Sequence, residues 1–237
     1  IERHSSTATR LSQRIIVSMS MCDGIIYTKD DWGPVNLESL DISTAFLQGL
    51  SYKDLAAAAR QLGYESRIDR RVVISPPENV WRHFRRMSGA PPELRVKDSA
   101  RHLTLLLCLK AMYGFADAPL MFQLALLQYL VQSCEAITSL FDSNFLYWIM
   151  LVDGRWVVIL VITAHVDDLQ VAGSRKMLDW LHHRLEDRFG ALKRQVLPYT
   201  HAGIEQSNLG TSCIRLHQDD FCSKLSTAPV GAHRAIT

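Results

Sequence analysis

The feature that most constrains this chain is a run of nine residues, Trp156-Val157-Val158-Ile159-Leu160-Val161-Ile162-Thr163-Ala164, that ends in His165-Val166-Asp167-Asp168 and resumes as Leu169-Gln170-Val171-Ala172-Gly173. The run is rich in β-branched residues and too short for a membrane span, so it reads as a buried strand. Asp153-Gly154 before it is a hairpin signal, with Phe145 to Leu151 as the preceding strand. Three antiparallel strands are therefore predicted at the centre of the molecule. A buried strand gains nothing by ending in two adjacent carboxylates, which repel each other and lose hydration inside a protein. A cation that neutralises the pair makes the arrangement understandable.

A second segment, Leu37-Glu38-Ser39-Leu40-Asp41-Ile42, also carries an aspartate at the end of a short apolar strand. One carboxylate and a carboxylate pair on strand ends form the donor set of a two-magnesium phosphoryl-transfer site, because Mg2+ prefers oxygen ligands and keeps water and phosphate in its shell. An Asp-Asp pair in a turn also has an ordinary explanation, since turns favour Asp.

Around these strands the pattern predicts helices. Ser51-x-x-Asp54 resembles a capping box before Ala56 to Ala59, with Gly63 as a C-cap. Val80, Trp81 and Phe84 mark a short amphipathic helix, and Leu103 to Leu109 a strand. Pro119 suits the first turn of a helix through Phe122, Leu126, Leu127 and Leu130. Ser174 caps a helix with Leu178, Leu181, Leu185 and Phe189 on one face, closed by Gly190. Ile15 to Val17, Tyr199 to Ile204 and Cys213 to Leu216 read as further strands, and Asp30 to Pro34 as a turn. The fold class is α+β: a small antiparallel sheet with helices packed on one face, the other face free for a ligand.

Composition adds little by itself, because the net charge is only +2. Its distribution says more. Between Arg60 and Arg101 lie ten Lys/Arg against five acids, an excess that suits a phosphate backbone or a solvated face. Five scattered cysteines without C-x-x-C point to reduced thiols in an intracellular protein. Cys213, His217 and Cys222 supply three ligands but lack the paired spacing of a zinc knuckle. His182-His183 is expected at the surface. No apolar run approaches the roughly 20 residues of a membrane helix. The start at Ile1, with no signal-peptide pattern, reads as a piece of something longer or as a processed product.

Three motifs in order carry a resemblance. They are Leu40-Asp41-Ile42-Ser43-Thr44-Ala45-Phe46-Leu47-Gln48-Gly49, then Leu109-Lys110-Ala111-Met112-Tyr113-Gly114-Phe115-Ala116-Asp117-Ala118-Pro119, then Ala164-His165-Val166-Asp167-Asp168-Leu169-Gln170-Val171-Ala172-Gly173. They are similar to L-D-V-x-x-A-F-L-x-G, L-K-x-x-L-Y-G-L-K-Q-A-P and Y-V-D-D-I-L-I-x-G of the reverse transcriptases of copia-type long-terminal-repeat retrotransposons. A weaker match runs from Leu185 and Phe189-Gly190 to Ala202-Gly203-Ile204-Glu205. The resemblance covers about residues 36 to 206.

It implies a reverse-transcriptase palm domain over 36–206, preceded by a truncated fingers-like or irregular segment (1–35) and followed by the start of a thumb or connection (207–237). Asp41, Asp167 and Asp168 would be catalytic and would hold two Mg2+ ions, which Mn2+ can replace. Phe46 would exclude a ribose 2′-hydroxyl, and Tyr113, Gly114 and His165 would line the nucleotide site. Separately from the resemblance, the charge excess makes Arg82, Arg85 and Arg86 candidates to meet nucleic acid, with Lys110 of the second motif beside them. The implied activity is RNA-directed DNA polymerase, with an RNA/DNA template-primer, deoxynucleoside triphosphates and the rest of a retrotransposon polyprotein as partners. The location implied is the cytoplasm, in particles, or the nucleus.

The chain departs from the family pattern in several places. His165 stands where the family has Tyr, and Ala116 and Asp117 replace its Lys and Gln. Residues 1–35 lack the family's basic fingers motifs, with Arg14-Ile15-Ile16-Val17 as the nearest counterpart. These departures keep two rivals open: a weak or inactive retroelement remnant that binds nucleic acid, and an unrelated metal-dependent phosphohydrolase.

Overall fold

The computed structural model describes residues 7–61, 71–89, 92, 105–209 and 213–225. In chain order its elements are α1 (Arg10–Met21), β1 (Val35–Ile42), α2 (Tyr52–Gln61), β2 (Val72–Ile74), α3 (Glu78–Arg86), β3 (Leu106–Cys108), α4 (Ala118–Gln132), β4 (Ile137–Thr138), β5 (Phe145–Val152), β6 (Arg155–His165), β7 (Asp168–Ser174), α5 (Arg175–Phe189), β8 (Leu192–Val196), β9 (Tyr199–His201), β10 (Ile204–Asn208), β11 (Ile214–His217) and α6 (Asp219–Ser223). They fall into two compact units. One comprises Ile1–Thr7 and Ser43–Ala136, the other Ala8–Ile42 and Ile137–Thr237. These units interleave along the sequence.

The second unit is built on a six-stranded antiparallel sheet in the order β4-β5-β6-β7-β1-β8. The hydrophobic runs become its central strands because both faces are covered. Helix α5 presents Leu178, Leu181, Leu185 and Phe189, all buried, as its spacing predicts. Ser174 caps it, accepting from the Met177 amide at 3.4 Å. Gly173 sits opposite Leu160, and a Cβ there would meet Leu160 Cδ1 at 2.6 Å, so only glycine fits without repacking.

Several expectations are corrected here. Ile15 to Val17 is helix, not strand. Thr9 caps α1 by accepting from the Ser12 amide at 3.1 Å, and Ser12, Gln13, Ile16 and Val17 bury one stripe. The Thr9 amide and the Ser12 hydroxyl both donate to the Asp142 carboxylate, at 2.7 and 2.6 Å, so a distant loop fixes the helix start. Spacing and tertiary anchoring outweigh the β preference of three branched residues. Helices also cover both faces of the sheet rather than one. Ile16 and Val17 of α1 pack with Leu37, Val161 and Ala172, while α5 lies over the alternate residues, where its Trp180 meets Trp148. Tyr199 to Ile204 is not one strand but two, turned at Ala202-Gly203. Strand β8, unmarked by any apolar alternation, pairs with β1.

His182 is the fourth correction. It is buried, 3.3 Å from the Glu38 carboxylate, while His183 is exposed. Glu38 on β1 also receives the Arg194 guanidinium from β8, which reaches Asp179 at 3.4 Å. Burial pushes the Glu38 carboxyl up, but His182 and Arg194 overcome that push and hold it below its ordinary value. A carboxylate 1 % exposed thus ties two strands and a helix together.

In the first unit, Ser51 and Asp54 form the expected cap of α2, with the Asp54 amide donating to Ser51 Oγ at 3.1 Å. Its core gathers Tyr52, Leu55, Cys108, Ala111, Met121 and Leu124. Helix α4 starts with Pro119 in its first turn, as predicted. Gly63 and Leu103 lie outside the described residues. All five cysteines are free thiols. No helix among the described residues is long and apolar enough to cross a membrane.

Candidate active site

The antiparallel register sets one row of side chains across four strands. His165 on β6 stands opposite Asp168 on β7, Asp168 opposite Asp41 on β1, and Asp41 opposite Lys193 on β8. Residues directly opposite share a face, with Cβ atoms about 5 Å apart. Two sequence-predicted carboxylates are therefore neighbours, flanked by an imidazole and an ammonium. All of Asp41, His165, Asp167 and Asp168 are half-buried.

Asp167 lies in the two-residue turn between β6 and β7. Its carbonyl accepts from the Ile42 amide at 3.4 Å, which joins the turn to the end of β1. Val166, the first central residue, has φ +60° while Asp167 does not. A turn left-handed at its first central position normally takes glycine there. A β-branched residue in that region is an outlier costing about 1–3 kcal/mol, and such strain concentrates at functional sites.

The electrostatics agree with the geometry. Burial pushes the Asp168 carboxyl up from its ordinary value, the charges of Asp167 and Asp41 push it further, and His165 and Lys193 offset this only in part. The three carboxylates do not form a closed cage: among the described residues no group of three His, Cys, Asp or Glu is gathered to hold a metal ion. What stands there is an open pair with a third carboxylate at the adjoining turn. That donor set suits a hard divalent cation completed by water and phosphate oxygens, and such an ion would relieve the like-charge repulsion.

One step inward along the same strands is a polar layer. Thr163, Gln170 and Ser39 stand opposite one another, and all are buried. His201 from β9 reaches Ser39 Oγ with Nδ1 at 3.4 Å. Burial pushes the His201 imidazole down to about 4, with the nearby His165 adding to the push.

Sequence reasoning missed Lys193 and His201. Lys193 carries no motif, and only the pairing of β8 with β1 brings it beside Asp41. His201 could have been flagged as a polar residue inside a predicted strand.

The other expected site residues belong to the first unit. Phe46 follows the left-handed Thr44 (φ +57°) in a short 3-10 turn, Ala45–Gln48. Its ring is 5.1 Å from that of Tyr113 and packs on the core of that unit. Tyr113 is exposed and Gly114 has φ +89°. Lys110 is exposed and bridges to Ser51. Arg82, Arg85 and Arg86 lie exposed on α3, with Arg82 3.8 Å from Glu78, while Trp81 is buried. Arg67, Arg70, Arg95, Lys97 and Arg101 lie outside the described residues.

The cleft of about 670 Å³ beside Cys22, Asn36, Val196 and Asn208 is at the opposite end of β1 and includes none of these residues. Comparison with protein-family models, with curated proteins and with solved structures finds no match.

Proposed function

We propose that this chain is the palm region of a copia-like reverse transcriptase, transferring deoxynucleotides from their triphosphates to a primer 3′-hydroxyl on an RNA or DNA template. The observation that carries the reading is the register that sets Asp41 opposite Asp168, beside a turn strained at Val166. The three motifs, in family order, say which phosphoryl transfer it would be.

Asp41, Asp167 and Asp168 would hold two Mg2+ ions, or Mn2+, whose bound chemistry is to activate the primer hydroxyl and stabilise the leaving pyrophosphate. The protein's own contribution is positioning. Asp168 must be ionised to bind a cation, and Lys193 reduces the cost of that charge. The Phe46 ring, backed by Tyr113, offers a flat apolar wall against which a 2′-hydroxyl would lose its hydrogen bonds. Arg82, Arg85, Arg86 and Lys110 would contact phosphates. The partners on this reading are template-primer, deoxynucleoside triphosphates and the rest of a retroelement polyprotein.

One observation favours a weak enzyme or a nucleic-acid-binding remnant. Arg14 to Val17, the nearest counterpart of the basic fingers strand, is helical and half committed to packing on the sheet. Among the described residues of 7–35 no basic strand then stands ready to grip the triphosphate, and each lost transition-state contact costs about 10²- to 10³-fold in rate. Primer extension on a primed homopolymer with Mg2+ tests the proposal. Slow extension abolished by Asp167→Asn supports it. Extension indifferent to Asp167→Asn overturns it, and salt-dependent binding of template-primer without extension identifies the remnant.

A further inference from the structure

The polar layer beneath the carboxylates contains groups that the protein itself leaves unpaired. The Gln170 amide nitrogen donates to the Tyr199 hydroxyl at 3.1 Å and to Gln206 Oε1 at 2.8 Å. Its Oε1 has no protein partner. Neither do Thr163 Oγ1, His201 Nε2 or, in the row above, His165 Nδ1, although all four atoms are buried. Thr163 and Gln170 are fully buried, and His201 is 1 % exposed. Buried polar atoms are very rarely left without a partner, and ordered water commonly supplies it.

Geometry favours one bridging atom. His165 and Thr163 are two residues apart on the same face of β6, so about 6.6 Å of strand separates them. That is the spacing of their Cα atoms; the two side-chain atoms make no direct bond across it, and an oxygen hydrogen-bonded to both would lie about 2.8 Å from each. Gln170 stands opposite Thr163, and His201 lies over the same layer through Ser39. A water there meets two to four polar partners, as an enclosed water requires.

We propose that this layer is an internal hydration site, in which at least one ordered water joins His165 Nδ1 and Thr163 Oγ1 to Gln170 Oε1 and His201 Nε2. Through that water His201 acts as a positioning residue: it fixes the tautomer and ring orientation of His165 beside Asp168. The pairing also explains why a histidine at position 165, buried at Nδ1, is accompanied by a second histidine deep in the same face. The site is independent of what Asp41 and Asp168 bind.

Oxygen-17 relaxation dispersion of water on the full chain counts long-lived internal waters, and Thr163→Val removes the hydroxyl without changing shape. The expected result is one fewer long-lived water in Thr163→Val and a Tm lower by about 3 °C. The imidazole nitrogen-15 spectrum of His165 should lose its single tautomer in Thr163→Val and His201→Phe and keep it in Thr163→Ser. If His201→Phe does not fold, the two Thr163 variants carry the test. An unchanged water count, a Tm that holds or rises because a dry orphan hydroxyl has been removed, or an unchanged His165 spectrum overturns the proposal.

Discussion

Strand β6 is turned at both ends by two-residue hairpins, and the two turns are built on opposite principles. At the start, Asp153 (φ +49°) and Gly154 (φ +76°) fill the two left-handed positions of the turn with residues that tolerate them, and open space surrounds Gly154. At the other end Val166 occupies a left-handed position with a β-branched side chain, and the next two residues are aspartates. The first hairpin is optimised for folding. The second gives up stability through backbone strain and like-charge repulsion, and its carboxylates meet Asp41 across the sheet. Local conflict of this kind is expected where a site, rather than the fold, selects the residues.

The sharpest way to break the comparison is chemical. With Mg2+ at about a hundred times its dissociation constant, the chain should gain about 2.7 kcal/mol, a Tm rise of several degrees. Asp168→Asn or Asp167→Asn should erase that rise and lower any primer extension at least about 10²-fold, while Asp153→Asn should change neither. A Mg2+-induced shift that survives in Asp168→Asn means the cation binds elsewhere.

Acid should act on the site end of the sheet. His201 is held neutral, with its folded value about 4 against 6.5 when unfolded, so the unfolded chain binds more protons between those values. Its contribution is complete above about pH 6.5 and is lost as pH falls toward 4, on the order of 3 kcal/mol. Urea midpoints of wild type and His201→Gln should therefore converge on acidification through that window. Parallel pH profiles would show that His201 does not titrate there. Glu38 acts lower: its depressed carboxyl keeps its stabilising effect above about pH 4.5 and loses it as pH falls further.

Strain gives a smaller and opposite pair of effects. Val166→Gly should stabilise by about 1 kcal/mol, the relief of a left-handed β-branched residue less the entropy of glycine. Gly154→Val should destabilise by a similar amount. Urea denaturation of both variants tests this, and a destabilised Val166→Gly would mean that the second turn is not strained.

The smallest effect is electrostatic. Asp168→Asn should raise stability at neutral pH by about 0.5 kcal/mol, because like charges directly opposite in a sheet repel. A carboxyl raised in the fold destabilises above its folded value, so the gap between wild type and Asp168→Asn should close as pH falls through that value. A gap independent of pH would assign the gain to something other than charge.

What the sequence by itself determined is local. A β-branched apolar run and Asp153-Gly154 specify the β5–β6 hairpin, Ser51 with Asp54 starts one helix, and Ser174 with Gly190 brackets another, because each signal needs only neighbours within a turn or two. The aspartates were legible as strand-end carboxylates for the same reason. Tertiary structure alone decided that β1 lies between β7 and β8, in the register that sets Asp41 against Asp168 and Lys193. It turned Ile15 to Val17 into a helix through Asp142, buried His182 on Glu38, and brought His201 beneath the site. These choices rest on partners more than a hundred residues away, and no local propensity records which distant surface will cover a segment or satisfy its polar atoms.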